Sequence, residues 1–366
     1  MLRALAGRLH PKLARRVDQL AARVASRRRI FVASWRQGQN YGDDYLAEAV
    51  ERFLRPRCAD LPIVQTNLHL DNYGLTANDI LVLAGGGLWG PSGSGRLEQA
   101  LYDAWVNTPA HLVVANIGIE SFDPAAAPQL AALRKKAELF SVRDQESWRI
   151  AAEVLGPQGA LWTADSTYLA PLRISRSPAP GCVAVNLCGP EQENFRRPYS
   201  VEPIIAAISR LRDQGCLLKG SVFRYAPSQS NYTLCRQIDP ACSPTFSPEP
   251  FGQCELFIGM HFHSVLLALQ NEIPVLALSY SDKVRRLMDE YGLAACCLDP
   301  GDPDIGDKIS HQLQSMRADQ ETLSARIRQG NSAARDRLRA FETQVERILG
   351  DPQGAAGAGK LRKGRT

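Results

Sequence analysis

No apolar run in this 366-residue sequence approaches the ~20 residues needed to span a bilayer, and the first 30 residues lack the compact apolar block of a signal peptide. Neither a membrane-spanning nor a secreted protein is expected. The nine cysteines are scattered, with no Cys-x-x-Cys pair and only Cys296 and Cys297 adjacent. That excludes a disulfide framework and suits a reducing cytoplasm. No His/Cys/Asp cluster has metal-ligand spacing, so no metal is expected. The run Gly85-Gly86-Gly87 fits neither the Gly-x-Gly-x-x-Gly fingerprint nor a Walker loop, so nucleotide binding has no support.

What is present is an ordinary globular composition, 45% hydrophobic and 22% charged, in a chain long enough for two domains. The net charge of +5 is unevenly spread: residues 1–30 carry +8 and 351–366 carry +3, which leaves −6 for 31–350. A mildly acidic body offers no face for nucleic acid.

Leu2, Leu5, Leu9, Leu13, Val17, Leu20 and Val24 line one side of a helix whose other side is rich in arginine, with a break near Pro11. This segment, 1–29, either lies on an anionic membrane surface or docks on its own domain. From residue 30 the pattern alternates strand and helix. Strands are predicted at 30–34, 80–84, 112–117, 139–142 and 160–163, with helices such as 45–54 and 128–137. A Pro/Ser-rich stretch at 173–181 reads as a linker. A second series follows, with strands at 182–187, 217–223, 256–258, 275–279 and 295–298 and helices at 201–214, 264–270 and 283–291. The expected fold class is α/β, with two Rossmann-like βα domains (30–172 and 182–310) facing across a cleft. Residues 311–349 are predicted to form exposed helices, and 350–366 a disordered basic tail.

The richest stretch is Gly259 to Lys283: the end of an apolar run, two histidines, a short helix and a second buried strand. His261, His263 and Lys283 thereby fall at or near strand ends, where open α/β sheets place their ligands. His263 opens the helix, so an anion there meets an imidazole and free backbone N–H groups. The site suits a small, strongly anionic substrate.

Gly259, His263, Pro274, Val275, Ala277, Leu278, Ser279, Tyr280 and Lys283 resemble the pattern of the polysaccharide pyruvyl transferase family. Asn40-Tyr41-Gly42-Asp43, Gly85-Gly86-Gly87 and Ser141-Val142-Arg143-Asp144 are similar to earlier segments of that family, so the resemblance spans roughly 30 to 300. His261 stands where the family usually has arginine. The resemblance implies a GT-B-like fold and transfer of the enolpyruvyl group of phosphoenolpyruvate onto sugar hydroxyls, in cytoplasmic or peripheral-membrane steps of exopolysaccharide biosynthesis. Phosphoenolpyruvate would be a co-substrate, with no other cofactor, and the acceptor a saccharide or lipid-linked oligosaccharide.

In that reading His263 is catalytic, since an imidazole gives and takes protons near neutral pH. Arg143, His261, Phe262 and Lys283 would bind the donor, the guanidinium matching a carboxylate or phosphate with its fork. Asn40, Gly42, Asp43, Gly85, Gly86 and Gly87 would line the acceptor side or the cleft. Plainer alternatives stand beside these: Arg143 pairing with Asp144 or Glu146, Asp43 or Asp44 as a helix N-cap, the glycines as a packing turn, and Asp165 as structural. The missing arginine charge is supplied by a titrating His261 or by Lys283, Arg285 or Arg286. Trp35, Trp89 and Trp105 are candidate stacking surfaces or core. Two rival functions are a nucleotide-sugar glycosyltransferase of the same fold and a non-catalytic member.

Overall fold

The computed structural model describes residues 28–350, apart from 36–39, 59, 71–72, 91–93, 191–198 and 226–230. The predicted basic helix, except Arg28 and Arg29, and the tail 351–366 lie outside the described residues.

The first domain contains β1 (Ile30–Ser34), α1 (Tyr41–Leu54), β2 (Ile63–Asn67), β3 (Ile80–Trp89), α2 (Gln99–Val106), β4 (His111–Ile119), α3 (Ala127–Lys136), β5 (Ala137–Val142), α4 (Gln145–Leu155) and β6 (Leu161–Trp162). The second contains β7 (Cys182–Asn186), α5 (Glu202–Asp213), β8 (Leu217–Gly220), α6 (Tyr232–Ile238), α7 (Glu249–Gln253), β9 (Leu256–Gly259), α8 (Phe262–Gln270), β10 (Val275–Leu278), α9 (Asp282–Glu290) and β11 (Cys297–Leu298). Helices α10 (Ile305–Ala318) and α11 (Gln320–Gly350) complete the described chain.

Both sheets are parallel, in the orders β2-β1-β3-β4-β5-β6 and β11-β10-β9-β7-β8. Counted from its own first strand, each begins 2-1-3-4-5. Each therefore has one point where the strand order reverses, between β1 and β3 and between β7 and β9. Such points open a crevice at the carboxyl ends of the strands. This is the α/β architecture with two parallel sheets that the sequence predicts.

Strands buried on both faces read as continuous apolar runs, and all five residues of β1 are buried. The edge strand β2, Ile-Val-Gln-Thr-Asn, is half-buried and mixed in polarity, which is why the pattern does not reveal it. One apolar cluster runs from Ile30, Val32 and Val50 of the first domain through Val265 to Leu269 of α8 to the second sheet. Every residue of α8 except His263 is buried, as a helix apolar on all sides must be.

The C-terminal helices differ from the exposed helices predicted. Ile309, Leu313 and Met316 of α10 and Ile327, Leu338, Phe341 and Val345 of α11 are buried. Helix α11 crosses to the first domain, where Arg337 donates to the Thr163 carbonyl at 2.8 Å. At its centre Asn331, 1% exposed, donates to the Leu269 carbonyl at 2.8 Å and accepts from the Tyr168 and Tyr291 hydroxyls at 2.9 and 2.8 Å. Asn331→Ala strips three buried groups of a partner, so the variant is expected to lose at least about 1–3 kcal/mol of stability, read as a lowered denaturant midpoint. Among the described residues no helix is long and apolar enough to cross a membrane.

Candidate functional site

The carboxyl ends of the two sheets face each other across a cleft of about 520 Å³, lined from the first domain by Asn40, Asp43, Gly87, Glu120 and Arg143. From the second come Phe223, Arg224, His261, Phe262, His263, Tyr280 and Lys283. Most follow the end of a strand by a few residues, so the parallel topology itself assembles the site.

At the first reversal point, the Asn40 side chain caps α1. It accepts from Gly42 N at 3.0 Å and donates to Asp43 Oδ2 at 2.9 Å. The cap is thus Asn40, neither Asp43 nor Asp44, and the helix begins at Tyr41 rather than 45. Gly42 is required by the opposite domain: a Cβ there would lie 2.1 Å from His263 Nδ1. The glycine run is not a turn. Strand β3 continues through it with a register shift against β4, Gly85 and Gly86 taking φ of 71° and 85°. Of the three, only Gly87 lines the cleft.

At the second reversal point, Asn186 Oδ1 accepts from His261 N at 3.2 Å and from Ser264 Oγ at 2.8 Å, anchoring the start of α8. His261 is buried, its Nδ1 3.1 Å from Asn186 Oδ1 and 3.2 Å from Cys188 Sγ. Burial, with Arg224, Lys283 and His263 nearby, pushes its pKa down to about 3. These surroundings hold the imidazole neutral at physiological pH. Among the described residues, Arg143, Arg224 and Lys283 are the Lys and Arg side chains that line the cleft, and Arg285 and Arg286 do not.

His263 has a side chain 12% exposed, with no hydrogen-bond partner for Nε2 and Asp165 Oδ2 4.0 Å away. Burial pushes its pKa down to about 4; Asp165 and Glu120 pull upward, while Arg143 and Lys283 reinforce the fall. The imidazole is neutral and ready to accept a proton.

Arg143 has a side chain only 3% exposed, its guanidinium 4.4 Å from the centre of the Phe262 ring. It faces Asp165 at 3.4 Å, Asp144 at 3.6 Å and Glu120 at 3.9 Å, yet its Nε makes no hydrogen bond. These are long, divided contacts rather than one bidentate pair, and the Glu146 pairing is absent because Glu146 bonds Arg149 instead. Lys283 donates to Glu120 Oε1 at 3.0 Å, linking the domains. Asp165 also accepts from Thr167 N and Oγ1 at 3.0 and 2.9 Å, so it organises the loop as well as facing Arg143 and His263.

The structure brings Asn40, Asp43, Gly87, Arg143, His261, Phe262, His263 and Lys283 into one cleft, with Gly42 against His263 and Gly85 and Gly86 set back. Trp89 and Trp105 are core residues bonded to the Gly95 and Leu68 carbonyls, while Trp35 meets His69 edge-on. Sequence reasoning missed Glu120 and Arg224. Both lie just past predicted strands, a position that the strand-end rule already marks.

Residues 40–221 match the family model described as polysaccharide pyruvyl transferase. That span covers most of the first domain and reaches β8, stopping before the histidine segment. No curated protein matches the chain significantly. Among solved structures, the UDP-GlcNAc 2-epimerase of Neisseria meningitidis bound to UDP-GlcNAc is 8% identical, with a TM-score of 0.49 over 87% of this chain and 100% of that one. The S. aureus MnaA–UDP structure is 11% identical, with a TM-score of 0.48 over 89% and 97%. A functionally uncharacterised Klebsiella pneumoniae protein is 16% identical, with a TM-score of 0.44 over 75% and 92%.

Proposed function

Because the chain belongs to the polysaccharide pyruvyl transferase family, we propose that it transfers the enolpyruvyl group of phosphoenolpyruvate onto two hydroxyls of a saccharide, forming a pyruvate ketal during cell-surface polysaccharide assembly. The observation that carries this reading is the lining of one interdomain cleft by Arg143, Arg224 and Lys283 around a neutral histidine. Phosphoenolpyruvate carries a carboxylate and a phosphate on a three-carbon frame. Three cations from two domains match that charge at close quarters, and guanidinium groups hold either anion through paired N–H donors.

The Phe262 ring lies against the Arg143 guanidinium at 4.4 Å, and the guanidinium exchanges its long carboxylate contacts for the donor. Lys283, tied to Glu120 in the free protein, exchanges that contact for the donor's phosphate. His263, neutral at the outset, takes the proton of the attacking hydroxyl and returns it to the departing phosphate. The acceptor enters beside Asn40 and Gly87, and the arginine-rich segment 1–29 holds the enzyme on the cytoplasmic face of a membrane near a lipid-linked acceptor.

Titration calorimetry with phosphoenolpyruvate tests the donor assignment. Saturable binding is expected, weakened in Arg143→Ala by about 1.5–3 kcal/mol, or roughly ten- to a hundredfold in Kd. An unchanged Kd in a folded Arg143→Ala variant would remove this arginine from the donor site.

A further inference from the structure

Enolpyruvyl transfer needs two proton-transfer groups, one to protonate the donor's methylene carbon and one to take the proton of the attacking hydroxyl, and His263 fills one of these roles. This inference rests on the reading above and asks which group fills the other. Glu120 is engaged by Lys283 at 3.0 Å and faces Arg143. Asp165 accepts from Thr167 and faces Arg143 at 3.4 Å. Asp43 is placed differently. It lines the cleft, accepts one hydrogen bond, from Asn40 Nδ2 at 2.9 Å, and forms no ion pair with any described residue. It also follows Gly42, whose Cα lies against the His263 ring, so one helical turn presents the carboxyl and receives the imidazole.

We propose that Asp43 is the general acid of the transfer, protonating the methylene carbon, with His263 as the base that works beside it. In the first half the Asp43 O–H bond breaks and a C–H bond forms at the methylene carbon, giving a methyl group and an oxocarbenium-like centre. The acceptor's first hydroxyl oxygen bonds to that centre and its proton passes to His263. In the second half the bond between that carbon and the phosphate oxygen breaks, and His263 hands its proton to the phosphate. The second hydroxyl adds to the carbon, and its proton returns to the Asp43 carboxylate. The products are the ketal and inorganic phosphate, and both groups regain their starting protonation.

The electrostatics agree with this division. Burial pushes the Asp43 carboxyl up to about 7 with help from Asp44, although Lys283, Arg224 and Arg143 pull it down. The His263 imidazole is pushed the opposite way, to about 4. Two groups with pKa values driven past each other form an acid–base pair at neutral pH. Across the cleft His261 is neutral, and burial holds the Tyr280 phenol well above its usual range, so neither adds charge.

Phosphate release from phosphoenolpyruvate by the full chain, with a panel of methyl glycosides as acceptors, tests the role. The wild type is expected to be active, its rate falling as pH rises through about 7. Asp43→Asn should lose about 10²–10⁴ in kcat while binding phosphoenolpyruvate as well or better, since a partly ionised carboxyl is removed from beside an anion. Asp43→Glu should recover part of the rate with its high-pH limb displaced. A wild-type rate in Asp43→Asn, or an unmoved limb in Asp43→Glu, overturns the acid role alone. No phosphate from the wild type with any glycoside overturns the enolpyruvyl-transfer reading and this role with it.

Discussion

His263→Ala is expected to fold, to bind phosphoenolpyruvate and to turn it over about 10²–10⁴-fold more slowly, the usual contribution of a positioned proton-transfer group. The side chain is the one member of α8 that is not fully buried, so its removal leaves the packing of that helix intact. Its lowered pKa fixes the pH behaviour. The neutral form is the working base, so activity that depends on it is present above about pH 4 and lost as pH falls through that value. Steady-state kcat in the variant checks the effect. A folded His263→Ala protein with wild-type turnover would remove the imidazole from the mechanism.

Gly42→Ala is expected to reduce turnover about 10²-fold, though alanine ordinarily favours a helix. Inside an exposed helix the substitution would stabilise by about 0.8–1 kcal/mol. Here the new Cβ would fall 2.1 Å from His263 Nδ1, far inside contact distance, so the imidazole or the start of α1 must move. A displacement of about 1 Å at a reacting group costs about that factor in rate. The expected signature is a near-normal melting temperature with a low kcat. Normal turnover in Gly42→Ala would show that His263 does not work from the position beside this glycine.

The second expectation rests on a contact between residues more than 200 positions apart, which marks the limit of what the sequence reveals. Continuous apolar strands such as β1 and the apolar run Val265–Leu269 of α8 are legible, because burial on all sides leaves no polar residue to interrupt them. Edge strand β2 is not, since half of it faces water and its residues look like a loop. The run Gly85-Gly86-Gly87 reads locally as a turn; only its pairing with β4 shows that the strand runs on. Likewise the solvent-like composition of α11 conceals a buried stripe from Leu323 to Ile348 that becomes visible once the helix is laid across both domains.

The site divides along the same line. The place of His263, Arg143 and Lys283 at the cleft follows from residue type and strand-end position. That His261 is neutral does not, because the sequence alone contains neither its burial nor its place beside Asn186, Arg224 and Lys283. Arg143, Arg224 and Lys283, contributed by the ends of different strands, bring positive charge to the cleft that an arginine at 261 would otherwise share. Arg224 and Glu120 escape notice one at a time and become evident together, once every strand end is traced to the same cleft.

The most direct test of ketal-forming transfer is to incubate the protein with phosphoenolpyruvate and a saccharide acceptor and follow the mixture by proton and phosphorus NMR. The account predicts equal amounts of inorganic phosphate and of a new saccharide-bound methyl signal, with loss of the vinyl protons of phosphoenolpyruvate. Unchanged phosphoenolpyruvate beside consumption of a nucleotide sugar by the same protein would contradict it.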